Sequence, residues 1–157
     1  MFQVAQVPVP LRARELAGLE RVDYADAFAV DVPVRRTPEE WLRLSVTASP
    51  ALFNAVRLVH RALGLHLAQA DSPGHMIGWD VLRNDSEEAV LGNGGGILGT
   101  PRIVCLTPPG QVMVATLIQL NGIGGRAIWA ATAPLHRAVA RYVLSRMPML
   151  LSEPEHV

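Results

Sequence analysis

Lysine is missing from this chain, because all 14 residues counted as Lys or Arg are arginine. Without a lysine ammonium group, the protein has no side chain for Schiff-base chemistry. It also lacks the lysine that contacts the phosphates in a P-loop. The absence therefore excludes two common kinds of site, one catalytic and one for nucleotide binding.

Cysteine is almost absent as well, since Cys105 is the single one. One thiol cannot form a disulfide within the chain, and it cannot build a cysteine-cluster metal site. The five histidines do not compensate, because no two of them have the i, i+4 spacing of a metal-binding helix. We therefore expect neither a metal nor a cofactor.

No charge of either sign is in excess, since the formal net charge is +0 at pH 7. Nucleic-acid-binding proteins usually carry a basic excess, so we do not expect that class. No stretch has the length and apolarity of a membrane span. Residues 1–10 lack the pattern of a secretory signal, which predicts a cytoplasmic protein.

Carboxylates are missing from residues 89–152, so any catalytic acid must come from the first half of the chain. Asp23 and Asp26 are the conspicuous candidates there. If this segment is a strand, Asp26 shares a face with Tyr24 and Asp23 lies opposite. The two carboxylates would then not converge, and we interpret them as a solvated strand edge or as partners of Arg126 or Arg137.

Apolar residues are abundant, at 50% of the chain against 18% charged residues. A chain of 157 residues forms a single domain at this composition. The apolar surplus indicates either a lined cavity or a subunit interface. We predict an arm over residues 1–20, one domain over residues 21–147 and a loose tail over residues 148–157.

The elements follow from local signals. Proline spacing predicts an extended segment over residues 1–10, followed by a short helix over residues 11–18. A strand is predicted over Val22–Val32. Two helices begin at Thr37-Pro38 and Ser49-Pro50, where a capping side chain precedes a proline, and Gly64 ends the second.

The second half is predicted to be mostly β-structure until Pro134. Turn signals separate five strands, near residues 76–84, 87–92, 97–106, 111–121 and 126–132. Such short connections favour antiparallel pairing. A helix then runs from Pro134 to about Arg146. The fold class is therefore α+β, with a curved antiparallel sheet folded around a long C-terminal helix.

Four short motifs carry a resemblance: V-D-Y-A-D-A-F at residues 22–28, G-W-D-V at 78–81, G-R at 125–126 and P-L-H-R at 134–137. Over residues 21–147 the chain resembles DUF2867, a bacterial family of unknown function. That family belongs to the START-like (SRPBCC) superfamily of polyketide cyclases and lipid-transfer domains. The resemblance implies a helix-grip fold with a cavity, but no activity. The glycine-rich residues 92–99 depart from it, and we interpret them as a hairpin rather than a nucleotide loop.

In such a fold the concave face of the sheet is also the wall of the cavity. We predict that an inward-facing Cys105 acts there as a small hydrophobe and that His136 contacts a strand or a ligand. The full set of predicted pocket residues is Trp79, Cys105, Met113, Leu117, His136 and Tyr142.

Three hypotheses for function remain open. The first is a module that binds a small apolar or amphipathic molecule. The second is an enzyme of the cyclase or dehydratase type, with Asp26, Asp80, His136 or Tyr142 moving protons. The third is an oligomeric or partner-binding domain, possible as a homodimer because both faces of the strand over residues 111–121 are apolar.

Overall fold

The chain folds as an α+β structure in a computed structural model, which describes residues 2–69, 72–94 and 96–151. In chain order the elements are β1 (Val4–Gln6), α1 (Leu11–Ala17), β2 (Tyr24–Asp31), α2 (Pro38–Ala48), α3 (Pro50–Ala62), β3 (His75–Met76), β4 (Trp79–Asn84), β5 (Glu88–Gly92), β6 (Gly99–Leu106), β7 (Gln111–Leu120) and α4 (Gly122–Arg146), followed by a 3-10 turn over Met147–Leu151.

The strands form one curved seven-stranded sheet in the order β1-β2-β7-β6-β5-β4-β3. Every neighbouring pair is antiparallel. The predicted α+β class, with an antiparallel sheet and a long C-terminal helix, is confirmed. The proline-rich start of the chain contributes β1, which extends the sheet beyond β2.

Both predicted helix starts are present. Thr37 caps α2 in a capping box with Glu40, in which each side chain accepts a hydrogen bond from the other's backbone N–H. Ser49 caps α3 by accepting a hydrogen bond from the Leu52 N–H at 3.4 Å. The two helix starts can be predicted from the sequence because the capping side chain and the N–H group that it accepts from lie within one helical turn.

The predicted strand over residues 126–132 is wrong, because these residues belong to α4, a helix of 25 residues that continues through Pro134. The glycines before it had suggested a turn. A Cβ atom at Gly125 would lie 2.6 Å from the Leu98 carbonyl oxygen, so glycine here allows the helix to approach the loop before β6. Pro134 had suggested a helix start, but it lies inside the helix with its ring exposed.

The predicted strand over residues 76–84 is instead the hairpin of β3 and β4. Its two turn residues, Ile77 and Gly78, both have positive φ angles, of 50° and 90°. Two successive residues with positive φ angles form the tight two-residue turn that is typical of a β-hairpin. The β-branched Ile77 is a poor residue for that position, so no turn signal is recognisable there from the residue types alone.

The two faces of the sheet are covered differently. Helix α1 lies across one face, which we call the closed face. Its buried residues pack with those of α1 in one cluster: Ala13, Ala17, Ala27, Val90, Val104, Ala115 and Leu117. The opposite face, which we call the open face, carries Phe28, Ala89, Leu91, Cys105 and Val112 and meets α2 and α4.

The closed face explains why the strand at residues 111–120 is apolar on both sides. One side of β7 packs under α1 and the other packs under α4, so no subunit interface is needed to cover it. At the end of the chain, the 3-10 turn begins with a buried Met147, and residues 152–157 of the predicted tail lie outside the described residues. Within residues 2–69, 72–94 and 96–151, no helix has the length and apolarity to cross a membrane.

Candidate functional site: a cavity on the open face

A cavity of about 200 Å³ lies between the open face and helices α2, α3 and α4. Its walls are mostly aliphatic and aromatic side chains. The residues around it are Trp41, Leu42, Ser45, Ser49, Leu52, Phe53, Val56, Arg57, His60, Leu63, Leu65, Ile77, Trp79, Leu98, Pro101, Ile103, Cys105, Val114, Thr116, Ile118, Trp129, His136, Val139, Ala140, Val143, Leu144 and Met147.

Helix α3 forms one wall of this cavity. None of its residues is buried, although Leu52, Phe53 and Val56 line the cavity. On its outer side Leu58 is 69% exposed. Arg57 joins the helix to the loop that follows it, because its guanidinium donates to the Ala68 carbonyl at 2.7 Å. The helix therefore covers the cavity without being embedded in the core.

Three of the six predicted pocket residues, Trp79, Cys105 and His136, line the cavity. Trp79 is buried on β4, where the His60 ring meets it edge to face at 5.5 Å between centroids. Burial raises the pKa of the Cys105 thiol to about 12, so the sulfur stays protonated near neutral pH. Cys105 is therefore a hydrophobic wall residue and not an activated nucleophile.

The other three, Met113, Leu117 and Tyr142, lie elsewhere. Leu117 is fully buried in the closed-face cluster, and Met113 shares its side of β7 by alternation. Tyr142 is 42% exposed, with the Arg146 guanidinium over its ring. The cavity side of β7 is instead formed by the alternate residues, which include Thr116.

Polar residues border one end of the cavity: Trp129 and His136 line it, and Tyr24 and Asp26 contact these two side chains from outside the lining. Strand β2 places Tyr24 and Asp26 on the same face, and α4 brings His136 against them. The Tyr24 hydroxyl donates a hydrogen bond to Asp26 Oδ2, and His136 Nε2 lies 3.2 Å from the same oxygen. Arg137 Nη1 donates to the Tyr24 oxygen at 3.4 Å. Asp26 is only 3% exposed, so its carboxylate depends on these neighbours.

Tyr24 is held in its protonated form. Burial, and next the hydrogen bond to Asp26, raise the pKa of its phenol to about 12. The hydroxyl therefore remains a donor to the carboxylate throughout the physiological range. This donation fixes the Asp26 carboxylate oxygen that faces His136.

Three polar atoms at this end are enclosed without a hydrogen-bond partner among the described residues: Asp26 Oδ1, Trp129 Nε1 and His136 Nε2. His136 Nε2 is near the carboxylate, but the two groups are not aligned as a hydrogen bond. Buried polar atoms are nearly always paired, since an unpaired one costs about 1–3 kcal/mol. Their grouping beside a cavity is therefore the feature that most needs a functional explanation.

A second imidazole, His60, faces the same cavity from α3. Burial, with a smaller electrostatic contribution from the nearby His136, lowers the pKa of His60 to about 4. The ring is therefore neutral near pH 7, and it contributes an uncharged wall. The described residues contain no group of three or more His, Cys, Asp or Glu side chains placed to hold a metal ion.

Of the residues that the enzyme hypothesis proposed, Asp26 and His136 meet at the polar end, whereas Asp80 and Tyr142 lie outside it. Asp80 forms a surface pair with His75 at 2.9 Å. Trp129 and Thr116 also line the cavity, although neither is among the predicted pocket residues. Trp129 and His136 are seven residues apart, so a helical interpretation of this segment would have placed both on one face.

No protein-family model matches the chain, and no curated protein has significant sequence similarity to it.

Proposed function

We propose that the protein binds one small, mainly apolar molecule that carries a polar group, and that the cavity on the open face is its site. The observation that supports this most directly is at the polar end, where Trp129 and His136 line the cavity and Trp129 Nε1 is enclosed without a hydrogen-bond partner among the described residues. A ligand group that accepts a hydrogen bond would satisfy the Trp129 N–H. The remaining walls offer apolar contact.

The size of the cavity limits the ligand. An engineered apolar cavity of about 150 Å³ is known to hold benzene. The present cavity, at about 200 Å³, therefore suits a molecule of one or two rings or a short branched chain. A larger ligand would require α3 to move outward, which its lack of buried residues would allow.

We also propose that this is a helix-grip fold and that the chain is related to DUF2867. The order of elements supports this: β2, then two helices, then five antiparallel strands and a long helix. Strand β1 and helix α1 are additions before that order. The strands from β3 to β7 follow one another across the sheet, and β2 pairs with β7 next to α4.

The test is mass spectrometry of the purified protein, first native and then denatured, to detect a bound small molecule. Ala140→Leu places extra carbons in the cavity, and Ala138→Leu makes the same change on the exposed side of α4. We expect a stoichiometric ligand in the wild type and in Ala138→Leu, and its loss in Ala140→Leu.

Weakly bound ligands can be lost during purification, so direct binding of small probes is measured by ligand-observed NMR on the same three proteins. Probes should include a ketone, an alcohol and a carboxylic acid on one aromatic ring. Failure of all three probes to bind the folded wild type, together with no co-purified molecule, would contradict the proposal. Equal binding to Ala140→Leu would show that the site lies elsewhere.

A further inference from the structure

We propose that His136 is a general base and that the cavity catalyses proton transfer at a carbon next to a carbonyl group. The substrate class is a small, apolar ketone or related carbonyl compound. This inference deepens the proposed function and rests on it, because the ligand must first occupy the cavity.

The tautomer of His136 follows from its neighbour. The Asp26 carboxylate can only accept hydrogen bonds, so it favours a proton on the nearby Nε2 of His136. The other ring nitrogen, Nδ1, then carries the lone pair. Nδ1 is not among the enclosed unpaired atoms, and it has no hydrogen-bond partner within the part of the chain that the structure describes.

Asp26 acts as a positioning residue and is itself held in place. The hydroxyl of Tyr24 donates to the carboxylate oxygen that faces His136, and Arg137 approaches the Tyr24 oxygen. The Asp26–His136 contact is short but not aligned. Catalytic hydrogen bonds are often poorly aligned before the ligand is bound and improve when it arrives.

Trp129 supplies the second requirement, a donor for the carbonyl oxygen. Its indole N–H is enclosed without a partner, and its ring centroid lies 5.2 Å from that of His136. Both side chains line the cavity. One carbonyl compound can therefore accept a hydrogen bond from Trp129 while its adjacent carbon faces the imidazole.

The step needs no other reactant. The proton of the C–H bond moves to Nδ1, and the electron pair of that bond forms a carbon–carbon double bond. The carbonyl π pair moves onto oxygen, where the Trp129 N–H stabilises the negative charge. The imidazolium stays beside Asp26 and returns its proton to the same carbon or to a conjugated one, which gives exchange or isomerisation.

A second histidine–carboxylate pair in the molecule serves as a control, because it should not catalyse proton transfer. His75 and Asp80 are also a histidine–carboxylate pair, 2.9 Å apart, but they lie on the surface away from the cavity. If any histidine–carboxylate pair sufficed, this one would also act as a base. His75→Gln and Asp80→Asn are therefore the control variants.

The experiment follows exchange of the α-protons of 1-indanone in D₂O by NMR, with binding of the same ketone measured separately. We expect wild-type protein to accelerate exchange and His136→Gln to lose that acceleration by about 100-fold or more. Trp129→Phe, which keeps an aromatic ring and removes the N–H, should lose about tenfold or more. The two surface variants should match the wild type.

Asp26→Asn tests whether Asp26 positions the His136 ring. The quantities measured are ones that would not change in this way if Asp26 only supported the fold. The dissociation constant for 1-indanone should stay unchanged while the exchange rate at saturation falls. The ¹⁵N shifts of the His136 ring should change from a single Nε2-protonated form to a mixture of tautomers. A parallel loss of binding and rate, with the tautomer unchanged, would assign Asp26 to folding alone.

The outcomes separate the two proposals. Binding of 1-indanone without exchange above the rate in buffer would overturn catalysis and leave the binding function in place. Acceleration that survives in His136→Gln would overturn the role of His136. If His136→Gln does not fold, Trp129→Phe decides, since an unchanged rate there would remove the proposed donor. No binding of 1-indanone or of the other one-ring probes would overturn both proposals.

Discussion

The closed face and the open face belong to the same sheet, yet the cavity of about 200 Å³ is lined from the open face and not by the closed-face cluster. On the closed face, small side chains from both partners meet: Ala13 and Ala17 of α1 face Ala27 of β2 and Ala115 of β7. Small residues on both sides let the helix lie close to the strands. None of these residues lines the cavity of about 200 Å³.

The open face is built from larger groups. Trp41, Trp79 and Trp129 line the cavity. Such large side chains keep a helix farther from a strand than alanine does. The open face also buries two polar side chains, those of Asp26 and Thr116. One face thus supplies stability, and the other retains a space and unpaired groups that do not favour stability.

Truncation of adjacent residues on β7 gives the sharpest test of this difference. Leu117→Ala removes a fully buried side chain from the closed face, and we expect a loss of about 3–5 kcal/mol in the free energy of unfolding. Ile118→Ala enlarges a cavity that already exists, so we expect about 2 kcal/mol. Urea denaturation measures both, and equal costs would mean that the two faces are packed alike.

Lowering the pH should reduce the stability of the protein through His60, which lines the cavity on the open face. Its pKa of about 4 in the folded protein lies below the usual 6.5. Between these values the unfolded chain binds a proton that the folded protein does not, so stability falls as the pH is lowered from about 6.5 toward 4. From pH 7 to pH 5 the loss due to His60 should be about 2 kcal/mol.

His60→Gln should remove this part of the pH dependence, and the surface variant His75→Gln should retain it. Urea denaturation at pH 7 and at pH 5 measures the difference for each protein. If His60→Gln loses as much stability as the wild type between these two pH values, then the imidazole is not shielded from solvent.

Added volume should have opposite results on the two faces. Ala27→Leu has no room under α1, and we expect it to lower the free energy of unfolding by about 1–3 kcal/mol. Ala140→Leu extends into the cavity and should change stability by less than about 1 kcal/mol. Thermal unfolding compares them. A larger loss for Ala140→Leu would show that the cavity is not available to extra carbons.

The fold was predictable wherever the determining contacts are local. The capping groups Thr37 and Ser49 act within one turn, so the starts of α2 and α3 were correct. The start of α4 was not, because Gly125 is needed for contact with the Leu98 carbonyl, which is distant in sequence. Its glycines look the same as those of a turn when the chain is considered alone.

The site was predictable only in part, for a related reason. The prediction that Tyr24 and Asp26 share a face was correct, because the alternation of side chains depends on a single strand. The sides of β7 could not be distinguished, since both are apolar and the difference between Leu117 and Thr116 is set by which helix covers each side. Hydrophobicity therefore identifies burial, but it does not say whether the buried face is filled.

Substitution of Asp23 should have the smallest effect on stability. Asp23 immediately precedes β2 and contacts the first turns of α4 through Arg126. Its carboxylate lies 2.8 Å from Arg21 Nε and 2.9 Å from Arg126 Nη2, and it accepts a hydrogen bond from the Leu120 N–H. The Arg21 hydrogen bond contributes most to lowering the pKa of Asp23 to about 2.

A lowered carboxyl pKa stabilises the folded protein above the unfolded value of 3.8 and ceases to do so as the pH falls through about 2. Asp23→Asn should therefore lower the thermal midpoint slightly at pH 7, and the gap to wild type should narrow between pH 4 and pH 2. Asp31→Asn, at the exposed opposite end of β2, is the control and should show no such gap. If the Asp23→Asn gap stays constant with pH, then the amide has lost packing and not charge, and the ion pairs with Arg21 and Arg126 do not hold this corner.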